Sequence, residues 1–344
     1  MTSENSSCSI PEEYLINMRL NEIFTPNFSQ QRESTFQTNE NANTDVRFAR
    51  FVHYTTAESA LSIIKNKELW LRQTGCMSDY LEVQHGYDIL YACFSDSLKR
   101  DAFIQALDAC APGAAQEALA LFDHHFGTIR SSTFISSISE HNSGEEDQHG
   151  RLSMWRAYGG NTGRVAIIFK LPWYEEGIEK AVNKLNIRFG PVAYAAGHNF
   201  NDAFGKTLFN IEKNREWLCS VGHDKIVKNI FNMLLMNTVC LKHSGFKEEK
   251  EWRIIHFPHL WESPLMKPEI KVIGGVPQKI YKLPLDSAKD EDLSGLDFTR
   301  IFDSLIIGPT QYSWPMFNAF ADALAESGIQ ESSKRIYNSY IPIR

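Results

Sequence analysis

The stretch RFARFVHYTTAESALSIIKNKELWLR, residues 47–72, combines two kinds of apolar periodicity in one short segment. RFARFVHY predicts a strand that ends at His53–Tyr54, and ELWLR, residues 68–72, predicts a second strand. Between them, the apolar residues of AESALSII repeat with helical spacing, and Thr55 begins a T-x-x-E capping box. The order strand, helix, strand marks the beginning of a folded domain.

Further along the chain, strands and helices mix without strict alternation. STFISSIS, RVAIIFKL, EWRIIHF and FDSLIIGP predict strands, whereas residues 80–126 and 205–242 have helical patterns. We therefore predict an α+β fold with a mixed or antiparallel sheet. Residues 47–344 would form a single domain with helical insertions near 80–126 and 205–242. Residues 1–46 are polar and would form a flexible arm, with at most one short helix around 11–23.

The overall composition excludes several functional classes. The chain has 344 residues and a net charge of −7, so no basic surplus indicates a nucleic-acid partner. The six cysteines form no C-x-x-C pair, which is typical of reduced thiols in the cytoplasm. The N-terminal residues have neither a basic start nor an apolar core, so we expect no signal peptide, and no apolar run reaches the ~20 residues that span a bilayer. We expect a cytoplasmic protein without a membrane partner, and the histidine spacing predicts no metal site.

The segment FKEEKEWRII, residues 246–255, contains two carboxylates at its entry into a predicted strand. If the segment is extended, Glu249, Glu251 and Arg253 share one face, with the carboxylates about 7 Å apart. A solvated strand entrance with a surface ion pair is the more common explanation. The alternative is a catalytic pair, in which one carboxylate stabilises positive charge and the other positions or deprotonates a nucleophile.

A second candidate site lies at His53, Tyr54 and Thr55, where the first strand passes into the capped helix. Backbone N–H groups at a helix N-terminus favour an anion such as a phosphate. His53 would add a donor to a ribose hydroxyl or a diphosphate. The competing interpretation is a histidine satisfied at a strand end, with Thr55 acting only as a cap.

The third candidate is SMWRAYGGNTGRVAIIF, residues 153–169, which contains three glycines. A phosphate-binding loop requires the order strand, glycines, helix, but here a helix leads through glycines into a strand. We therefore reject a nucleotide-binding loop of that type. Trp155 and Tyr158 would form a platform for a base or nicotinamide ring, although both are equally compatible with the core.

Four segments together resemble a large, mostly prokaryotic family known only as a domain of unknown function. These segments are HYTTAESALSIIKNKELWL, SDYLE, SMWRAYGGNTGRVAIIF and FKEEKEWRII, and the closing SLIIGP and SYIPIR also fit. The resemblance covers about residues 50–344. That family usually has an Asn-Asp pair where this chain has Ser78-Asp79, which leaves the role of Asp79 open.

A more distant resemblance is to the ADP-ribosyltransferases, in a strand that ends in His-Tyr-Thr and a late strand that bears Glu-x-Glu. It implies a split sheet and NAD as a substrate, with His53 on the adenosine-side ribose. Glu251 would hold the nicotinamide ribose and stabilise the oxocarbenium ion, and Glu249 would orient the acceptor. STFISSIS would take the place of the middle motif of those enzymes. Arg253 would keep the carboxylates ionised or bind a phosphate.

Three functional hypotheses follow. The first is an NAD-dependent ADP-ribosyltransferase or NAD-cleaving enzyme, such as a toxin-like or defence effector. The second is a non-enzymatic nucleotide-sensing or partner-binding module, which the large helical blocks favour. The third, a metal-dependent nuclease or phosphodiesterase, requires Asp79, Glu82, Glu249 and Glu251 to converge.

Overall fold

A computed structural model of the protein describes residues 11–38, 47–77, 82–158, 163–172, 175–194 and 197–342. Within these ranges the fold is α+β, as predicted. Its strands are β1 Gln37–Thr38, β2 Arg47–Thr56, β3 Glu68–Gln73, β4 Phe134–Glu140, β5 Arg164–Pro172, β6 Ile187–Pro191, β7 Ala193–Tyr194, β8 Leu241–Lys242, β9 Glu251–His256, β10 Lys267–Ile273, β11 Val276–Pro284, β12 Phe302–Ile307 and β13 Ile336–Asn338. Its α-helices are α1 Glu12–Phe24, α2 Pro26–Thr35, α3 Ala57–Asn66, α4 Glu82–Ser95, α5 Ser97–Asp108, α6 Ala114–Ser131, α7 Glu145–His149, α8 Leu152–Ala157, α9 Glu176–Leu185, α10 Gly197–Lys213, α11 Arg215–Val221, α12 His223–Val239, α13 Phe298–Ile301 and α14 Ser313–Glu326. Short 3₁₀ helices cover Thr74–Cys76, Ser244–Glu249, Glu291–Leu296 and Ser332–Arg335.

Most strands form one sheet with the order β10-β11-β3-β4-β2-β5-β12-β13. β9 pairs with β4, β6 pairs with β9, and β1 pairs with β2. β12 and β13 run in parallel, whereas the other described pairs of this sheet are antiparallel. β5 lies inside the sheet, and its residues 165–169 are all buried because both of its faces are covered. β7 and β8 form a separate parallel pair.

The sheet is split at β4. β9 runs along one edge of β4, while the other edge is shared by β3, which pairs at Ile135, and β2, which pairs at Ser139. β2 and β3 diverge between these two contacts. On that edge, residues 136–138 have no strand partner in the described part of the chain. The split brings the end of β2, which carries His53, towards the middle of β4.

Two large apolar clusters cover the sheet. The first joins the helices α1, α4, α5, α6, α10, α11 and α12, and contacts the sheet through Ile135 of β4 and Ile255 of β9. The second packs α3, α9 and α14 on the opposite face, against residues such as Val165 of β5 and Leu305 of β12. The segments predicted as helical near 80–126 and 205–242 thus form one helical layer. Their status as insertions in a single domain stays a prediction.

The expectation of a flexible arm over residues 1–46 is wrong for residues 11–38. α1 and α2 are helical, and Leu20, Ile23 and Phe24 are buried against the large helical cluster. The polar composition hides this outcome because only one face of α1 carries the apolar residues that make these contacts. Residues 1–10 and 39–46 lie outside the described residues.

Candidate functional site

The segment FKEEKEWRII, residues 246–255, is not extended over its whole length. Its 3₁₀ helix Ser244–Glu249 is followed by Lys250, whose φ of 44° lies in the left-handed region and redirects the chain. β9 therefore begins at Glu251, and the expectation that Glu249 shares a strand face with Glu251 is wrong. Glu251 and Arg253 do share a face, as strand alternation predicts.

The carboxylate of Glu251 is buried, with only 4% of the residue exposed. Its Oε1 accepts hydrogen bonds from Ser137 Oγ at 2.5 Å and from Arg253 Nε at 2.8 Å. Its Oε2 accepts from Lys242 Nζ at 3.3 Å. Burial alone would raise the pKa of Glu251, but Arg253, Lys242 and Ser137 outweigh it and lower this pKa to about 2. Glu251 is therefore ionised at neutral pH.

Lys242 joins the two carboxylates. Its Nζ lies 2.8 Å from Glu249 Oε2 and 3.3 Å from Glu251 Oε2, and it lies 4.7 Å from the ring centre of Phe246. Since Lys242 is only 4% exposed, its charge is compensated by these acidic partners rather than by water. The Lys242 ammonium group lies within hydrogen-bond distance of both carboxylates, and its charge offsets the repulsion between them.

The small β7–β8 pair positions this lysine. Parallel pairing sets Tyr194 beside Lys242, and the Tyr194 hydroxyl accepts a 2.7 Å hydrogen bond from the backbone N–H of Glu251. Burial raises the pKa of Tyr194. Sequence analysis missed both residues, because strands of two residues show no periodicity. The sequence did contain one signal for Lys242, because this lysine directly follows the apolar run LLMNTVCL. A lysine in such a position would be buried, and a buried lysine requires an acidic partner.

The structure brings His53 to the same serine that contacts Glu251. His53 Nδ1 lies 3.0 Å from the backbone oxygen of Ser137, and because a carbonyl only accepts, Nδ1 carries the proton. Burial lowers the pKa of His53, and the hydrogen bond to Ser137 offsets this shift in part. The segments HYT, STFISSIS and EWRII thus meet at Ser137.

Two of the residues predicted to bind a ligand, Trp155 and Tyr54, are part of the core. Trp155 is fully buried, and its Nε1 donates to the backbone oxygen of His149 at 2.7 Å. The Tyr54 ring packs edge-on against Trp155 at 4.8 Å, and its hydroxyl accepts from the backbone N–H of Arg151 at 2.9 Å. Of the two interpretations of Trp155, the structure agrees with the core one. Tyr54 contacts the segment that leads into α8. Tyr158 is exposed, and its hydroxyl lies 3.4 Å from Glu249 Oε1.

The predicted cap of α3 is displaced by one residue. β2 continues through Thr56, and the side chain of Thr56, not that of Thr55, accepts from the backbone N–H of Ser59 at 3.2 Å. The N–H of Ala57 donates to Gly163 at 2.8 Å. Two N–H groups at the start of α3 therefore already donate hydrogen bonds within the protein. This weakens the prediction of an anion site there, because fewer N–H groups remain for an anion. Thr55 is half-buried on β2 and pairs with β5.

Arg151 is a site residue that sequence analysis missed. Its Nη1 donates to the backbone oxygens of Glu248 at 2.9 Å and Glu249 at 3.1 Å, and its Nη2 donates to the backbone oxygen of Glu140. Its Nε lies 3.3 Å from the carboxylate of Glu146. Arg151 thereby fastens the Glu249 turn to the end of β4, a role that no local sequence pattern reveals.

The proposed metal ligands do not form a cluster in the described part of the chain. No group of three or more His, Cys, Asp or Glu residues there could hold a metal ion. Asp79 and the Glu82 side chain lie outside the described residues, as does Ser78. Among the helices that the structure describes, none is long and apolar enough to cross a membrane.

The fold and the site together define an α+β protein with a split sheet and a cluster of two carboxylates and two cations, of which Lys242, Glu251 and Arg253 are buried. Residues 154–254 match the model of a protein family of unknown function, DUF2971. This match confirms the expected similarity to a family of unknown function over α8 through most of β9, including Glu249, Glu251 and Arg253. No curated protein and no solved structure matches the chain.

Proposed function

We propose that the protein cleaves NAD at the nicotinamide–ribose bond, either as an ADP-ribosyltransferase or as a hydrolase. The observation that carries this proposal is the convergence on Ser137, where His53 contacts the backbone oxygen and Glu251 contacts the hydroxyl. The three strands that meet there carry the motifs on which the resemblance to ADP-ribosyltransferases rests. The split between β2 and β3 supports the same proposal.

The chemistry requires a fixed negative charge beside the ribose carbon C1′. As the bond from C1′ to the nicotinamide nitrogen breaks, its electron pair leaves with the nicotinamide and positive charge develops on the ribose. Glu251 is suited to stabilise that charge, because it is ionised, buried and held by three groups that are already oriented. Glu249 would accept the proton of the attacking water or acceptor as the new bond to C1′ forms.

Lys242 acts in this proposal as the counter-ion of the ligand-free site. Its ammonium group lies within hydrogen-bond distance of both carboxylates, where positive charge would develop during the reaction. Substrate binding would shift Lys242 away from at least one carboxylate. Arg253 is a positioning residue, since it donates to Glu251 and to the backbone oxygen of Val239. Tyr158, exposed beside Glu249, is the remaining ring for nicotinamide.

The test is NAD consumption and nicotinamide release by the wild type, by Glu251→Gln and by Glu248→Gln. Glu248 is exposed and lies three positions before Glu251, so Glu248→Gln is a control with the same chemical change at a nearby residue. We expect Glu251→Gln to lose about 100-fold or more in turnover, in the range for removal of one preorganised electrostatic group. Glu248→Gln should retain activity, and matched circular dichroism spectra would exclude unfolding. Unchanged turnover in folded Glu251→Gln would overturn the role of this residue.

A second candidate function is a non-enzymatic module that senses a nucleotide or binds a partner. It is favoured by one observation: both oxygens of Glu251 already accept hydrogen bonds, and only 4% of the residue is exposed, as in a structural ion cluster. This function predicts a ligand-induced rise in melting temperature without nicotinamide release. For either function we propose a cytoplasmic setting, and for the enzyme a role as a defence or toxin-like effector in a prokaryote.

A further inference from the structure

A cleft that is separate from the carboxylate cluster lies between the start of α14, β13 and the end of α7. Its volume is about 570 Å³, which is in the range of small-molecule sites. It is lined by Gln148, His149, Ser313, Trp314, Phe317, Ile336, Tyr337, Asn338 and Tyr340. None of these lining residues belongs to the cluster formed by Lys242, Glu249, Glu251 and Arg253. The cleft is therefore a separate site.

The walls of the cleft are exposed aromatic rings. Trp314 is 69% exposed and Tyr340 is 81% exposed, and Tyr337 is also exposed. The Trp314 ring is stacked on Phe317 with a centroid distance of 5.7 Å and an interplanar angle of 2°. Large aromatic side chains gathered around one concave surface mark a binding site, because scattered exposed rings would not share a cavity.

The polar groups of the cleft include neither a carboxylate nor a Lys or Arg side chain. Its lining contains two amides, an imidazole and three hydroxyls. His149 Nδ1 donates a 2.7 Å hydrogen bond to the backbone oxygen of Ser339. The Oδ1 of Asn338 is a buried atom without a hydrogen-bond partner within the described part of the chain. The amides of Gln148 and Asn338, together with stacked aromatic rings, are suited to a flat ring that carries both donors and acceptors.

We propose that this cleft binds the base of a nucleoside or small nucleotide. A nucleobase presents a face for stacking against Trp314 and an edge with paired donor and acceptor atoms for Asn338 and His149. The lining contains no Lys or Arg, and it therefore favours the base over phosphate groups, which would require such cationic side chains. The proposal does not depend on NAD cleavage, since it uses none of the residues around Glu251.

The test is to titrate the full-length protein separately with adenosine, guanosine, cytidine and uridine, and to measure the heat of binding by calorimetry. Trp314→Ala and Asn338→Ala are the test variants, and Phe209→Ala is the control, since Phe209 is exposed and lies outside the cleft. We expect saturable binding of at least one nucleoside, weakened about tenfold in Trp314→Ala and unchanged in Phe209→Ala.

Three results would overturn the proposal. One is the absence of saturable nucleoside binding at millimolar concentration by folded wild-type protein. Another is equal binding of indole and of the nucleoside, with no loss in Asn338→Ala, which would assign the cleft to an apolar side chain of a peptide. A nucleoside that binds but is unaffected by Trp314→Ala would bind elsewhere and would also contradict the assignment.

Discussion

Oε1 of Glu251 lies 2.5 Å from the hydroxyl oxygen of Ser137, and this hydrogen bond joins β9 to β4 at the centre of the candidate site. The backbone oxygen of the same serine is the partner of His53. One residue of β4 therefore connects the side chains that β2 and β9 contribute. The surrounding charges balance, because Glu249 and Glu251 face Lys242 and Arg253.

Removal of the Ser137 hydroxyl should impair catalysis more than it impairs folding. Ser137→Ala leaves Glu251 paired with Arg253 and Lys242 but deletes a hydrogen bond to a charged group, which is worth about 1.5–3 kcal/mol. We expect kcat/KM for nicotinamide release to fall at least about tenfold. The matched control is Ser136→Ala, because Ser136 is buried on the same strand but faces the other way. Equal losses in both variants would show that the effect is structural.

Lys242→Met should destabilise the protein by about 3–5 kcal/mol, because it leaves two neighbouring carboxylates without their shared ammonium group. Urea unfolding at pH 7 measures this change. The double variant Lys242→Met/Glu249→Gln should recover part of the loss, since Glu251 then faces only Arg253. Strictly additive losses would contradict the view that Lys242 compensates both carboxylates.

Part of this site was predictable from the sequence because it depends on local periodicity. Alternation along β9 placed Glu251 and Arg253 on one face, and the buried strand β5 followed from RVAIIFKL. Lys242 and Tyr194 were not predictable in this way, because a parallel pair of two-residue strands brings them to Glu251. Residues that are distant in sequence and lie on such short elements acquire their roles only from tertiary packing.

Trp155 shows a different limit of sequence analysis. The residue lies in the six-residue helix α8, which is too short to show an apolar periodicity. The sequence therefore does not distinguish an exposed ring from a buried ring at this position. Its burial is set by two glycines that approach its ring, since a Cβ atom at Gly150 or Gly308 would lie 2.8 Å from Trp155. Gly308 is more than 150 positions away in the chain, so no local pattern reveals this contact.

The pH dependence of stability should reflect the ionisation of Glu251. Its pKa in the folded protein is about 2, below the ~4.3 of an unfolded glutamate. The resulting stabilisation is fully present above about pH 5 and is lost as the pH falls towards 2, because the unfolded chain takes up the proton first. We expect it to be on the order of 3 kcal/mol.

The measurement is the difference in unfolding free energy between the wild type and Glu251→Gln, from urea titrations between pH 7 and pH 2.5. This difference should remain constant down to about pH 5 and then shrink. Glu248→Gln provides the baseline, since Glu248 is exposed. A difference that stayed constant down to pH 2.5 would contradict the low pKa of Glu251.

Alanine variants of Trp155 and Tyr158 should distinguish a role in core packing from a role in ligand contact. Trp155→Ala removes a fully buried ring and should cost about 3–5 kcal/mol in unfolding free energy. Tyr158→Ala removes an exposed ring beside Glu249, so it should change stability by less than about 1 kcal/mol while it raises the KM for NAD. Unfolding curves and nicotinamide-release kinetics of both variants check this prediction. If Trp155→Phe kept full stability but lost NAD binding, the buried indole would have a ligand role and Tyr158 would not be the ring that contacts nicotinamide.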